Sequence, residues 1–416
     1  MTSRIIYRQW LSPVLVVVTV FLAMLSVACG SETPTATAVS LAPTATPVPA
    51  IPVAATATPV PTAPAAIPVL TAPTATPAPS FDAAGYFKGK TVQIVVPYSP
   101  GGGYDAFSRM LAIYVPRHMP GNPRFVVKNL VGGGGERGIQ YTMRADPDGL
   151  TMATLHPNFI ARELAGVDIP EFSLDSMVYL GALSGTGSSG SVWVRRDVAG
   201  SWNEVLALGR PVTIGSVSPG QSGEQGAEFV EMLNGPVKVV YGYGGSSDVM
   251  AAMDRGETDA TGRMSPRNVS KLFPEWIEDK EFEPLFRWGD PATPEQVDFL
   301  KSMGVQGEWS EIPHIYEITN ASQGMQNAFQ AAYDVISASR GYVLPPGTPD
   351  EIVTVWRQSI KEAAQDPDFI AHAAIAGYAE ADWGYVAPGT VNDLLGVADK
   401  LSPEERNVFN RLLGAQ

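Results

Sequence analysis

Cysteine is almost absent from this chain: among 416 residues there is only Cys29. An intrachain disulfide and a cysteine-based metal centre are therefore excluded. The four histidines, His118, His156, His314 and His372, are scattered, with no HExxH and no close pair, which argues against a zinc site. Positive charge is scarce as well. Lys and Arg total 28 against 42 Asp and Glu, a formal net charge of -14. No broad basic surface can form, so a nucleic-acid binder is not expected; a small anion needs only a few local donors and stays open. There is no GxxxxGK[ST] and no GxSxG, which removes the P-loop and the nucleophile elbow. The serines of GTGSSGS (185–191) have no histidine placed by a motif, and no carboxylate pair is marked by spacing for acid–base work.

Charge is also sparse in the first 80 residues. Arg4 and Arg8 precede an uncharged apolar run, Leu11 to Ala28, and then Cys29-Gly30. This resembles a bacterial lipoprotein signal, with cleavage before Cys29 and lipid on its sulfur. Ser26 stands where such signals usually carry Leu, and Leu25 lies one place further off. An uncleaved N-terminal membrane anchor is the alternative that the run's length permits. Both readings place the rest of the chain outside the cytoplasm and tether it to a membrane. From Ser31 to Ser80 the chain is Thr, Pro, Ala and Val with Glu32 as its only charge, and TATPVP recurs. Such a segment cannot bury a core; its prolines favour an extended stalk, at about 3.1 Å per residue.

From Phe81 onward, strand-like and helix-like stretches alternate, which predicts an α/β fold with mostly parallel strands. TVQIVVPY is followed by a helical AFSRMLAIYVPRHM, RFVVKNLV by GIQYTMRA, PVTIGSV by GEQGAEFVEMLN, and VKVVYGY by DVMAAMDRG. DEIVTVWRQSIKEAAQ, after PPGTP, predicts an amphipathic helix beginning near Asp350. Three loops after strands are rich in small residues: SPGGGYD (99–105), GGGGERG (132–138) and SVSPGQSGEQ (216–225). Gly101-x-Gly103-x-x-Ala106 and Gly133-x-Gly135-x-x-Gly138 both match a dinucleotide fingerprint, but the second strand ends in Lys128-Asn129 rather than in a ribose-binding acid, so no cofactor is expected. A helix beginning just after Gly103 would aim free N–H groups and its positive end at the loop, a place for a carboxylate without Lys or Arg. Asp105 would cap that helix or turn an oxygen toward a ligand. A plain tight turn is the alternative for each loop.

Taken together and in order, these stretches resemble the solute-binding receptors of tripartite tricarboxylate transporters, the Bug-type receptors. IVVPYSPGGGYDAFSRML is similar to their opening strand, Gly-Gly loop and Asp. VVKNLVGGGGERG, DPDGLTM (146–152), VTIGSVSPGQSGEQGAEF, GYGGSSDVMAAMDRGETDA and GYVLPPGTPDEIVTVWRQSIKEAAQDPDF resemble five further family segments, over about Lys88 to Leu395. The resemblance implies a type II periplasmic-binding-protein fold, two α/β lobes around a ligand cleft with a two-crossover hinge. With the signal peptide (1–28) and the stalk (29–80) read above, it implies one lobe from 81–192 and 341–416, and a second from 193–340. The chain would leave the first lobe near Val192 to Arg195 and return near Arg340 to Val343.

The function implied is capture of a small organic carboxylate by cleft closure, without turnover, and delivery to membrane permease subunits by a lipid-anchored, extracytoplasmic monomer. A cell-surface sensor module and a secreted enzyme are the alternatives. By position, the family's ligand site falls on Tyr98, Ser99, Gly102, Gly103 and Asp105, on Gly134 and Gly135, and on Ser216, Ser218, Ser222 and Gln225. His156 and Arg263 are candidates for the far side of the cleft, with an exposed histidine and a surface arginine as alternatives. Trp193, Trp202 and Trp383 read as packing residues. The chain departs from the family pattern at Tyr98 (usually Phe), at Gln225 (often His), and at Gly242-Tyr243 (usually Tyr-Lys). Glu136, if it faced the cleft, would repel an anion. These departures argue against a doubly or triply anionic ligand.

Overall fold

The computed structural model describes residues 81–183, 189–220, 224–262, 281–289, 312–337, 340–376, 384–389 and 396–415, with the single residues 276, 279 and 394. Cys29, the apolar run, the stalk, Ser222, Arg263 and Trp383 lie outside the described residues. Residues 76 to 416 form one compact unit.

The chain opens with α1 (Ala83–Phe87), capped by Asp82, and β1 (Thr91–Val96). The β-branched run of β1 is buried almost throughout, as expected of a central parallel strand covered on both faces. Then follow α2 (Gly103–His118), β2 (Arg124–Asn129), a 3₁₀ turn (Gly133–Gly135), α3 (Glu136–Met143), β3 (Thr151–Leu155), α4 (Pro157–Leu164) and β4 (Val178–Leu183). The second part holds β5 (Ser189–Arg195), α5 (Trp202–Ala207), β6 (Val212–Gly215), α6 (Gln225–Met232), β7 (Val237–Val240), α7 (Ser246–Asp254), β8 (Ala260–Thr261) and β9 (Phe282–Gly289). The last part holds α8 (Ile315–Ile318), α9 (Gln323–Ile336), β10 (Arg340–Leu344), α10 (Asp350–Ala363), α11 (Pro367–Ile375), β11 (Tyr385–Val386) and α12 (Pro403–Leu412).

Among the described residues these strands make two sheets, a six-stranded one ordered β11-β4-β10-β3-β1-β2 and a five-stranded one ordered β7-β6-β8-β5-β9. In the first, β2, β1 and β3 are parallel, and β10 runs antiparallel between β3 and β4. In the second, β7, β6 and β8 are parallel, and β5 runs antiparallel to β8 and β9. Register brings the loops that matter to one edge of each sheet. Val96 pairs with Asn129 and Gly341 with Leu155, so the loops after β1, β2 and β3 and the start of β10 share one edge. Gly215 pairs with both Val240 and Thr261, which does the same for the loops after β6, β7 and β8. In open α/β sheets this carboxyl edge is where ligands bind.

The chain passes between the sheets at two places, and the first differs from the sequence expectation. All of β5 belongs to the second sheet, so Val192 to Arg195 lie within that sheet rather than at the exit from the first. An apolar strand reads alike in either sheet; only its pairing with β8 and β9 decides. The chain's end touches elements of the second part. α12 packs on α9 and α6, Asn327 donates to Glu405 at 2.9 Å, and Leu413 lies against Gly220 of the β6–α6 loop.

One apolar cluster joins Val95, Leu155 and Phe159 on the first side to Ile214, Phe229 and Phe286 on the second, through Phe329 of α9 and Phe409 of α12. Another fills the outer face of the first sheet, where α2 and α10 meet. Its centre is Trp356, fully buried, edge-on to Phe125, with its indole N–H donating to the Gly149 carbonyl at 2.9 Å. Helix α10 begins at Asp350, behind Pro349, with Asp350 and Glu351 in its first turn and Lys361 in its last, which suits its dipole. Among the described residues no helix is long and apolar enough to cross a membrane.

Replacing Trp356 by Ala removes this packing and orphans the Gly149 carbonyl. We expect a loss of about 3–5 kcal/mol, read from the shift of a urea unfolding curve; a loss below about 1 kcal/mol would refute this centre of the core.

Candidate functional site

The loop after β1 is held from within. Asp105, in the first turn of α2, is buried, and both of its carboxylate oxygens are taken. Oδ2 accepts from the Gly101 N–H and from Arg109 Nε, each at 2.9 Å. Oδ1 accepts from Arg109 Nη2 at 2.9 Å and from Asn129 Nδ2 at 3.0 Å. Asn129 also donates to the Tyr98 carbonyl at 2.9 Å. Asp105 is therefore not the N-cap of α2, which is Gly102, correcting that expectation; its carboxylate fixes the loop's shape. Burial by itself would raise its carboxyl pKa, but the hydrogen bonds from Arg109, Gly101 and Asn129 outweigh burial and hold it below the usual carboxylate range.

With the loop fixed, Gly102 serves as the N-cap of α2 with no side-chain cap. The second sheet contributes a matching end. Helix α7 starts after Gly245, again without a side-chain cap, and its first residues come against the first loop. A Cβ on Gly102 would lie 3.0 Å from Ser246 Oγ. Ser99 Oγ donates to Asp248 Oδ2 at 2.6 Å, the Ser99 N–H to the Gly244 carbonyl at 3.1 Å, and Ser247 Oγ to the Pro100 carbonyl at 3.0 Å. Two helix N-termini, one from each lobe, thus converge on the SPGGG loop. Each brings partial positive charge from its end peptides.

The other expected residues fall around this junction. Gly134 (φ +64°) and Gly135 (φ +101°) lie in the left-handed region, which glycine alone adopts readily. A Cβ on Gly134 would lie 2.6 Å from Ser218 Oγ of the β6–α6 loop, and one on Gly135 would lie 3.2 Å from the Tyr98 hydroxyl. Tyr98, Gly134, Gly135 and Ser218 are therefore together at the seam between the lobes. Ser216 is fully buried and its hydroxyl donates to Glu224 at 3.1 Å, a bond inside the second lobe. Gln225, the first residue of α6, is fully buried.

His156 is not an exposed histidine: it is 1% exposed, caps α4 by accepting from the Asn158 N–H at 3.0 Å, and packs its ring on Tyr104 (5.2 Å) and Tyr98 (6.2 Å). Glu136 accepts from Arg162 at 2.8 Å, so its charge is balanced locally. Trp193 is packed in the second lobe, donating to Ser191 Oγ at 2.8 Å, and Trp202 stands edge-on to Phe286.

Several residues at the junction carried no signal in the sequence. Arg340 begins β10, and its guanidinium lies over the Tyr104 ring at 5.2 Å. Its Nη2 is 3.3 Å from where a Cβ on Gly103 would be. This places a cation at the amino end of α2, although the SPGGGYD loop itself carries none. Ser246, Ser247 and Asp248 were hidden for the same reason: only the docking of α7 brings them to a loop nearly 150 positions away. Among the described residues no group of three or more His, Cys, Asp or Glu is placed to hold a metal ion.

Asp105→Asn tests the loop's anchor. Because its folded pKa lies below the unfolded value, the wild-type carboxylate stabilises the fold fully above about pH 4 and loses that contribution as pH falls through the lower folded value. The variant is expected to be less stable by about 1–3 kcal/mol at pH 7. The gap should close toward acid in urea titrations, whereas a pH-independent gap would refute the charge-based account.

No protein-family model matches the sequence, and no curated protein matches it. Solved structures do match the fold. The periplasmic binding protein BugD is 17% identical, with 78% of this chain and 97% of that one covered, at a TM-score of 0.56. MatC from Rhodopseudomonas palustris, with bound malate, is 15% identical over 78% of this chain and 99% of that one, at 0.53. A second R. palustris protein, with adipate, is 18% identical over 78% of this chain and 96% of that one, at 0.54. The two sheets, the two crossings and the loops gathered at their carboxyl edges are those of the two-lobed periplasmic-binding-protein fold.

Proposed function

We propose that this protein is an extracytoplasmic receptor that captures a small carboxylate-bearing metabolite between its lobes. One observation carries the reading: the uncapped amino ends of α2 and α7 meet at the SPGGG loop, with the Arg340 guanidinium beside Gly103. Backbone N–H groups at helix starts favour an anion, and side-chain-free positions let it approach closely. The fold's relatives with malate and adipate support the same class of ligand.

Closure would use the hydrogen bonds of Ser99, Gly244, Ser247 and Asp248, which already link the lobes. The apolar run before Cys29 and the Thr/Pro/Ala stretch after it would tether the receptor to a membrane at stalk's length, where it would hand its ligand to permease subunits. Binding rather than turnover is the task, and the protein acts as a monomer.

A thermal-shift screen of the compact unit, Thr76 to Gln416, against mono-, di- and tricarboxylates tests this. A ligand that binds only the folded state must raise the melting temperature. We expect a shift with at least one carboxylate. We expect it to fall by more than about tenfold in affinity in Gly103→Val, whose side chain would press on Arg340. Silence toward every carboxylate would overturn the reading.

A further inference from the structure

The helix ends and Arg340 account for one carboxylate. The rest of a ligand held there must meet the side chains around it. At the carboxyl edges of the sheets the acidic groups are answered inside the protein: Asp105 by Arg109 and Asn129, Asp248 by Ser99 and the Gly244 N–H, and Glu136 by Arg162. The buried polar atoms left without a partner at the same edges are almost all neutral. Asn158, the second residue of α4, is fully buried with neither amide atom hydrogen-bonded. Gln225, the first residue of α6, is the same. Among the described residues these are the only carboxamides with both ends buried and unpaired.

Two hydroxyls join them. Thr154 Oγ1 and Ser218 Oγ are also buried and unpaired. Thr154 and Asn158 flank His156, whose ring packs against Tyr98 and Tyr104, and Ser218 abuts Gly134. Trp288 lies against Gly226, next to Gln225, and its indole N–H has no partner either. The one acidic oxygen in the set, Glu228 Oε2, belongs to a carboxyl that burial and the nearby Glu224 charge push well above its ordinary pKa, toward the neutral acid.

A fold does not keep two fully unpaired amides without cost, because each gives up hydrogen bonds it makes to water in the unfolded chain. Such a burden persists where a bound molecule relieves it. The amide and hydroxyl groups both donate and accept, so they match hydroxyl or carboxamide groups on a ligand. A second carboxylate would be buried there without a counter-charge, and Gly242-Tyr243 supplies none.

We infer that the ligand is a monocarboxylate whose remaining polar groups are uncharged hydroxyls or carboxamides, with Asn158 and Gln225 as the residues that select it. The inference rests on the receptor reading above and narrows it.

Two matched series test it on the full-length protein by thermal shift and titration calorimetry: butyrate, 4-hydroxybutyrate, succinamate and succinate; then hexanoate, gluconate, adipamate and adipate. The hydroxy or amide member of a series is expected to bind at least about tenfold more tightly than its dicarboxylate and its plain alkanoate. Gln225→Leu and Asn158→Leu should each lose that preference. They should also melt higher than wild type without ligand, by on the order of 2 °C, because an unpaired buried amide has been removed. A merely structural role would give lower melting instead. Gln225→Glu, which keeps the side chain's shape, should lose the preferred compound too. If succinate or adipate binds best, the inference is overturned while the receptor reading stands. If no compound in either series binds, the inference falls, and the wider carboxylate screen above decides the receptor reading.

Discussion

The arrangement depends on one buried carboxylate. Asp105 takes hydrogen bonds from the backbone it must hold (Gly101), from its own helix (Arg109) and from the neighbouring strand (Asn129). Three glycines in a row would otherwise leave the loop a wide choice of conformations. Tied at these three points, the loop presents the amino end of α2 in one direction. A charge-assisted network of this kind is stronger than neutral hydrogen bonds; Asp105 is buried, while Arg109 is half exposed and its share is open to screening by salt.

Everything on the other side is built to meet that loop. The glycines at Gly244 and Gly245 let α7 start hard against Ser99 and Tyr98. Asp248 then answers Ser99 as Asp105 answers Gly101, so each helix that points into the junction carries an acid in its first turn. Those acids moderate the positive ends of the helices. With the Arg340 guanidinium beside Gly103, this balance is consistent with the proposed singly charged ligand. The C-terminal segment braces the opposite loop, because Leu413 and Gly414 lie against Gly220 and Pro219. The end of the chain therefore supports the β6–α6 loop that carries Ser218.

The strands and helices were legible because periodicity and β-branching report burial directly: β1 and β6 are interior parallel strands and read as largely apolar runs. The glycine loops were legible for a similar local reason. The role of Asp105 was not, because a carboxylate three positions into a helix looks the same whether it caps, binds or braces. For His156 the sequence left a cleft residue and an exposed histidine both open, because its burial is decided by Tyr98 and Tyr104, which belong to other elements.

By itself, the sequence determined the alternation of strands and helices, the three small-residue loops at strand ends, the scarcity of cations and the apolar run before Cys29. Each of these is a matter of local composition or spacing. Tertiary structure alone decided that β5 crosses to the second sheet, that Arg340 rests on Tyr104, that α7 docks on the first loop, and that Asn158 and Gln225 are sealed without partners. These depend on strand pairing and lobe packing between residues far apart in the chain, where the desolvation and hydrogen bonding of one group are set by groups its own neighbourhood does not contain.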